Sequence, residues 1–436
     1  MSVDQVLTLA VLTAVVVALI WDKVRADVVA LSGAAVLLMT GVVRPVEVQG
    51  AFASPAIIAL ASLFVIAYAL ELSGLLDRLI TVAVRLCRQI GAAGIWLLIA
   101  ICGVLSAFLN NTPIVVLGAP VVRDVAATLK LSPKRYLIPL SYMAVLGGCC
   151  TLIGTSTNLL VNDMARVSGQ PQFGLFEITP VGVAIALAGG LYLFLAAPRL
   201  IKANDGDEAE LIPRLSGVGA DISDGGVGDA ELFAEKQPFQ PVKALIALGV
   251  FLAVIAIAAL EIAPIAASAF AGAVLLILLR VISADEAYGG LRPEILILIA
   301  GMVVIGIAME ESGLAASVTG VLIGATDAVG PTVALIVLYG ATLLLTELLS
   351  NATVAVLVTP IAVALAESLG VSPRPFLVAV MMAGSAAFAT PFGYQTNVIV
   401  YQMGGYSYMD FVRVGLPLNL LTWVVAIIAI RIFFPF

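Results

Sequence analysis

Residues Thr151 to Leu160 read TLIGTSTNLL, which sets one glycine, four hydroxyl side chains and an asparagine between two strongly apolar stretches. Hydrocarbon cannot hydrogen-bond an unwound backbone, so such a stretch persists only inside protein or against a water-filled cavity. Similar polar islands stand at Leu109–Pro113 (LNNTP), at Leu348–Val354 (LLSNATV) and at Thr390–Asn397 (TPFGYQTN). The islands offer two kinds of group. Helix amino termini carry unpaired N–H donors and a partial positive charge, which suits an anion. Unwound carbonyls, hydroxyls and Asn side-chain oxygens suit a hard cation such as Na+. A cation and an anion held at one break neutralise each other in low dielectric, a physical route to symport. A lone Asn or Thr is explained by interhelical glue. Islands at matched positions are not.

The elements that position these islands are membrane spans. Of 436 residues, 62% are hydrophobic and 11% charged, with a mean hydropathy of +1.15. Soluble domains are nearer 45–50% apolar and about 25% charged. The net charge of -7 says little about partners, because Asp205–Glu235 alone holds nine acids against Arg214. No basic patch points to nucleic acid. The chain lacks histidine, and Cys87, Cys102, Cys149 and Cys150 have no CxxC spacing, so metal and haem chemistry are not expected. The amino terminus has no basic region or small-residue cleavage site ahead of its first apolar run. That run reads as a retained span.

Apolar segments of spanning length fall at about 6–21, 27–43, 53–71, 175–198, 242–260, 263–283, 293–311 and 415–434. Residues 92–127 and 331–369 are apolar but interrupted by LNNTP and LLSNATV, with no charged loop at the middle. Both read as re-entrant hairpins. Residues 136–166 and 374–403 read as spans broken at Thr151–Thr157 and Thr390–Gln395. The halves match: LELSGL (Leu70–Leu75) returns as MEESGL (Met309–Leu314), LKLSP (Leu129–Pro133) as LGVSP (Leu369–Pro373), Pro120 as Pro360 and Asn158 as Asn397, at offsets of 239 or 240. Four matches in register indicate a duplicated unit.

The predicted fold is therefore an all-α polytopic membrane protein with two repeats, residues 1–199 and 242–436. An acidic, Gly-rich linker, 200–241, joins them. Each unit crosses an odd number of times, so the second is inverted. Placing both termini outside puts 17 of the 21 Lys and Arg on the cytoplasmic side, leaving only Arg44, Arg166, Arg374 and Arg431 outside. The linker is then cytoplasmic. The amphipathic arm Arg78–Gln89 is basic, whereas its counterpart Ala315–Val329 has no Lys or Arg. Inverted repeats with discontinuous helices are the pattern of secondary transporters, whose sites lie at the breaks.

SAFLNNTPIVVLGAPVV and TELLSNATVAVLVTPIA, with GTSTN and FGYQTN, resemble the divalent-anion/sodium symporters of the solute carrier 13 family over nearly the whole chain. The resemblance implies an elevator-type Na+ symporter in a cell membrane (the inner membrane of a bacterium). It also implies a homodimer, no organic cofactor, and sulfate, citrate or a dicarboxylate as cargo. By position it implies one Na+ site from Ser106, Asn110, Asn111 and the Gly154 carbonyl. A second would use Thr346, the Leu349 carbonyl, Asn351 and the Gly393 carbonyl. The anion would meet Asn111, Thr112 and Thr155 from one side and Asn351 from the other. Ser350, Thr151, Ser156, Thr157, Asn158, Thr390, Thr396 and Asn397 would support these shells. Three positions depart from the family pattern. Asn110 stands for Ser, Ala352 lacks the anion-facing hydroxyl, and Tyr394 stands where dicarboxylate carriers tend to have Thr. Ala352 and Tyr394 lean the site toward a compact tetrahedral anion. The central regulatory domains of near relatives are missing.

The alternative on this scaffold is a cation/proton antiporter or a proton-coupled anion transporter. It requires an intramembrane carboxylate. Glu71, Asp163, Glu310 and Glu347 are the candidates, with Glu347 nearest a tip. No Ser/His, paired Asp or metal constellation supports an enzyme.

Overall fold

The computed structural model describes residues 2–21, 23–75, 78–79, 81–82, 90–201, 238–315, 317 and 330–436. Most of both amphipathic arms, Cys87 and nearly all of the linker lie outside the described residues. Within them the chain is helical and no strand occurs. The first half contributes α1 (Val3–Trp21), α2 (Ala26–Met39), α3 (Pro45–Phe52), α4 (Pro55–Leu72), α5 (Ala92–Ser106), α6 (Asn111–Thr128), α7 (Lys134–Gly148), α8 (Ser156–Val167) and α9 (Thr179–Leu200). The second contributes α10 (Pro241–Ala259), α11 (Ile265–Leu278), α12 (Ala284–Gly290), α13 (Pro293–Glu311), α14 (Gly330–Thr346), α15 (Asn351–Ser368), α16 (Arg374–Gly384), α17 (Gln395–Gly404) and α18 (Tyr408–Phe433). Element follows element in the same order in each half, and α6 and α15 begin and end at offsets of 240.

Among the described residues, six helical stretches are long and apolar enough to cross a membrane, and the chain is an integral multi-pass membrane protein. Leu187, Leu191, Phe194 and Leu195 on α9 point outward, as expected where the solvent is lipid. The spans expected at 27–43 and 263–283 are shorter, because turns with positive φ at Gly41 and Arg280 stop α2 and α11 early. The last span starts earlier than expected. Ser407 and Asp410 form a capping box that launches α18.

All four predicted breaks are present. At the hairpin tips, Asn110 caps α6 by accepting from the Thr112 N–H at 3.4 Å, and Ser350 caps α15 by accepting from Thr353 N–H at 3.2 Å. At the broken spans the cap residues Thr155 (φ -139, ψ 145) and Tyr394 (φ -149, ψ 145) share one extended geometry. Extended backbone there interrupts the helical ladder and frees the first-turn N–H groups of α8 and α17.

The helices pack in two bodies. One holds α1–α4 and α10–α13, with α2 on α13 and α11 on α4. The other holds the hairpins, the broken spans and α9 with α18. Extensive packing between the bodies is confined to α4 on α8, α13 on α8 and α13 on α15. Within the second body each hairpin packs against the broken span of the other half, α6 on α17 and α15 on α8. That exchange brings the four polar islands together.

Candidate functional site

Each hairpin tip is built the same way. The last residue of the first arm carries a hydroxyl, and the first residue of the second arm is an asparagine five positions on. Ser106 Oγ donates to Asn111 Oδ1 at 2.5 Å, and Thr346 Oγ1 donates to Asn351 Oδ1 at 2.9 Å. Thr346 Oγ1 also lies 2.8 Å from the Gly384 carbonyl. All four side chains are buried.

The breaks are matched as well. Thr151 Oγ1 donates to the Ala107 carbonyl and accepts the Gly154 N–H at 3.2 Å. Thr390 Oγ1 repeats this with the Glu347 carbonyl at 3.5 Å and the Gly393 N–H at 3.0 Å. Asn158 Nδ2 donates to the Thr151 carbonyl at 2.9 Å, and Asn397 Nδ2 to the Thr390 carbonyl at 3.2 Å. These bonds hold the two unwound segments in matched conformations against the tips. Two glycines then permit close approach. A Cβ on Gly148 would lie 2.6 Å from Asn111 Oδ1, and one on Gly154 would lie 2.9 Å from the Ala107 carbonyl oxygen. Ser106, Asn111 and the backbone at Gly154 therefore converge at the first tip. At the second, Thr346 and Asn351 converge with the Gly384 carbonyl, and a Cβ on Gly393 would lie 3.4 Å from Glu347 Oε2. Both sets are oxygen-rich and suit a hard, weakly charged cation.

The sites are not identical. Asn111 Nδ2 donates to the Tyr394 hydroxyl at 3.0 Å, and Thr112 Oγ1 to Gln395 Oε1 at 3.3 Å, so the second broken span closes over the first tip. Asn351 Nδ2 is buried without a hydrogen-bond partner among the described residues. Ala352, beside it, offers no hydroxyl. Thr155 donates to Thr157 Oγ1 at 3.4 Å. Ser141 Oγ on α7 lies 2.8 Å from both Thr396 Oγ1 and Asn397 Oδ1, whereas Asn158 Oδ1 has no hydrogen-bond partner among the described residues. Ser156 opens α8 and Leu349 is buried at the second tip.

Glu347 occupies the position of Ala107 and acts as a brace. Its carboxylate accepts the Ala389 N–H at 2.7 Å, the Thr390 N–H at 3.0 Å and Asn419 Nδ2 at 2.7 Å. Those bonds tie the second break to α18. The other candidate carboxylates lie away from the tips. Asp163 accepts from Ser54 and pairs with Arg166 at 3.1 Å, and Glu310 accepts from Ser168 at 3.0 Å. Sequence reasoning missed Gln395 and Ser141, which bond across the halves, and Asn419, which bonds Glu347 within the second half. Gln395 had a signal, since it holds the place of Ser156 in the repeat.

A pattern described as Citrate transporter matches residues 16–370 and 348–436. The chain belongs to the citrate transporter family. The resemblance to the divalent-anion/sodium symporters is thereby upheld, and the protein is a transporter, not an enzyme. Among its relatives is the sodium-dependent dicarboxylate transporter SdcS of Staphylococcus aureus, 24% identical over 92% of this chain and 80% of that one. The probable sodium/sulfate cotransporter 3 of Chlamydomonas reinhardtii is 45% identical, over 23% of this chain and 12% of its own length. The crystal structure of the YdaH transporter of Alcanivorax borkumensis aligns with a TM-score of 0.55 at 16% identity, covering 89% of this chain and 88% of that one. This likeness concerns the fold of this citrate transporter family member.

Proposed function

We propose that the protein is a Na+-coupled symporter of a small divalent anion, sulfate or a four-carbon dicarboxylate. The observation that carries this reading is the duplicated tip. In each, a hydroxyl holds the Asn oxygen on a carbonyl-lined side and leaves the amide nitrogen for the other. Asn351 Nδ2, a buried donor without a protein partner, fits an anion oxygen. In this reading Na+ sits on Ser106, Asn111 and the Gly154 carbonyl, and on Thr346, Asn351 and the Leu349 and Gly393 carbonyls. Asn110, which caps α6, supports the first site. The anion lies between the asparagines, near Thr112, Thr155 and Tyr394. Arg292 acts electrostatically on Tyr394, and the bound cations add to the compensating charge. The relatives named for sodium with sulfate or dicarboxylate support the same pairing.

The remaining parts of the reading follow. Residues 1–199 and 242–436 are inverted repeats joined by a cytoplasmic linker, and both termini face outward, in the cell membrane. The hairpin body moves as an elevator against α1–α4 and α10–α13, which serve as scaffold and dimer platform. The narrow contact between the bodies supports that movement, and Gly306 on α13 lies in it. A Cβ there would come within 2.5 Å of Met164 Cε and 3.0 Å of Val356 Cγ1. Glu347, engaged as a brace, leaves the proton-coupled alternative without a free carboxylate at the tips. Thermal unfolding of the purified protein is the test. Sulfate or succinate should raise the midpoint in Na+ but not in K+. Equal stabilisation in both salts refutes coupling.

A further inference from the structure

Asp163 stands on α8, in the body that carries the tips, yet its carboxylate is bonded by the other body. Ser54, the N-cap of α4, donates from Oγ to Asp163 Oδ2 at 2.5 Å and accepts the Ala56 N–H at 3.1 Å. The capping serine faces both ways, closing its own helix with a lone pair and reaching across the boundary with its proton. The carboxylate meets the amino-terminal end of α4, where the helix dipole favours a negative charge. Ser54 and Asp163 are each 1% exposed, so water does not compete for the bond. Arg166 holds the other carboxylate oxygen at 3.1 Å and keeps its own side chain partly in solvent.

The neighbouring contacts between the bodies are of other kinds. Met164, the next residue, lies against Gly306 of α13, and Ser168 Oγ donates to Glu310 Oε2 at 3.0 Å in an exposed position. Apolar surface slides without losing a partner, and an exposed hydroxyl exchanges its bond for water. Sliding α8 along α4 instead takes a buried carboxylate off its donor and off the helix end. We propose that Ser54 and Asp163 form a latch, which holds the hairpin body in this position against the scaffold and sets how readily it leaves. Beside the bond lies a cavity of about 390 Å3 that both bodies line, with Pro55, Ala56 and Glu261 on the scaffold side and Asn162, Asp163 and Phe173 on the other. It has room for water to take over from Ser54 as the latch opens, so the carboxylate is rehydrated and not stranded. Asp163 touches neither tip and acts as a positioning residue. The latch rests on the reading of the hairpin body as an elevator and goes beyond it, because it names a bond that the movement must break.

Double electron–electron resonance on the full-length protein in nanodiscs is the test. Spin labels go on Ile262→Cys in the scaffold and Ser368→Cys in the hairpin body, both exposed positions, with the four native cysteines replaced. The quantity read is the population at the distance of this structure divided by the population at all others, with Na+ and sulfate present. Ser54→Ala should lower that ratio roughly 3- to 20-fold, the span of interhelical hydrogen bonds measured in membranes. Ser54→Thr keeps both the proton and the cap and should stay within about twofold of the wild type. Ser54→Asp keeps an N-cap acceptor but sets a second carboxylate against Asp163, so it should lower the ratio further than alanine does. A fall in Ser54→Ala that Ser54→Asp does not share assigns the effect to capping and overturns the latch. Two distances whose ratio ignores both variants overturn the latch and leave the elevator standing. One fixed distance in the wild type and in every variant, with or without Na+ and sulfate, overturns the latch together with the elevator reading.

Discussion

Replacing Thr346 with valine keeps the side-chain volume and removes one oxygen from the second tip. In the folded protein that hydroxyl serves Asn351 Oδ1 at 2.9 Å and the Gly384 carbonyl at 2.8 Å. The hydroxyl shares one proton between them, so the variant leaves one buried acceptor unmatched. Unmatched buried acceptors cost about 1–3 kcal/mol each, while interhelical bonds measured in membranes average nearer 0.6 kcal/mol. Loss of a direct cation ligand adds to this. A combined effect of about 1.4–2.8 kcal/mol corresponds to a 10- to 100-fold rise in the Na+ needed for half-maximal stabilisation. Na+ titration by thermal unfolding, with anion saturating, reads that shift directly. Thr346→Ser should fall within about threefold of wild type, since it restores the donor. A valine variant with wild-type Na+ dependence refutes the placement of a cation on this hydroxyl.

Asn111→Ala and Asn351→Ala should each abolish Na+-driven uptake while the protein still purifies as a monodisperse species. Full uptake by both removes them from the site. Glu347→Ala leaves two N–H groups of the break and Asn419 without their acceptor, so the unfolding midpoint should drop by several degrees, about 2–4 °C per kcal/mol lost. An unchanged midpoint contradicts the brace. Gly306→Leu should slow turnover at unchanged Na+ and anion affinity, because it wedges the two bodies apart. Wild-type turnover rules out sliding at that surface. A cysteine at Ser216, in a background lacking the native four, should label only from the cytoplasmic side. Labelling by an impermeant reagent outside intact cells reverses the orientation.

Much of this architecture was legible because the strongest signals were local. LNNTP and LLSNATV interrupt apolar runs with capping residues, and the helices restart at Asn111 and Asn351 as the spacing predicts. The offsets of 239 and 240 carry through to the hydrogen bonds of Thr151 with Thr390 and of Asn158 with Asn397. What sequence could not supply was which half each tip faces. The pairing of α6 with α17 and of α15 with α8 is a tertiary exchange between segments far apart in the chain. It decides that Tyr394 bonds Asn111 and that Gln395 bonds Thr112. Glu347 likewise reads as a candidate proton carrier until Asn419, on the last helix, is seen to hold it. Helix ends shifted where capping chemistry outran hydropathy, as at Ser407.

The central claim is that Na+ and a divalent anion move together through the duplicated tips. Uptake of labelled sulfate and of labelled succinate into proteoliposomes, with an inward Na+ gradient set against an equal K+ gradient, tests it most directly. Concentrative uptake of at least one anion should occur only with Na+ and collapse when a Na+ ionophore dissipates the gradient. Accumulation that persists without a Na+ gradient, or that follows an imposed proton gradient instead, contradicts the account.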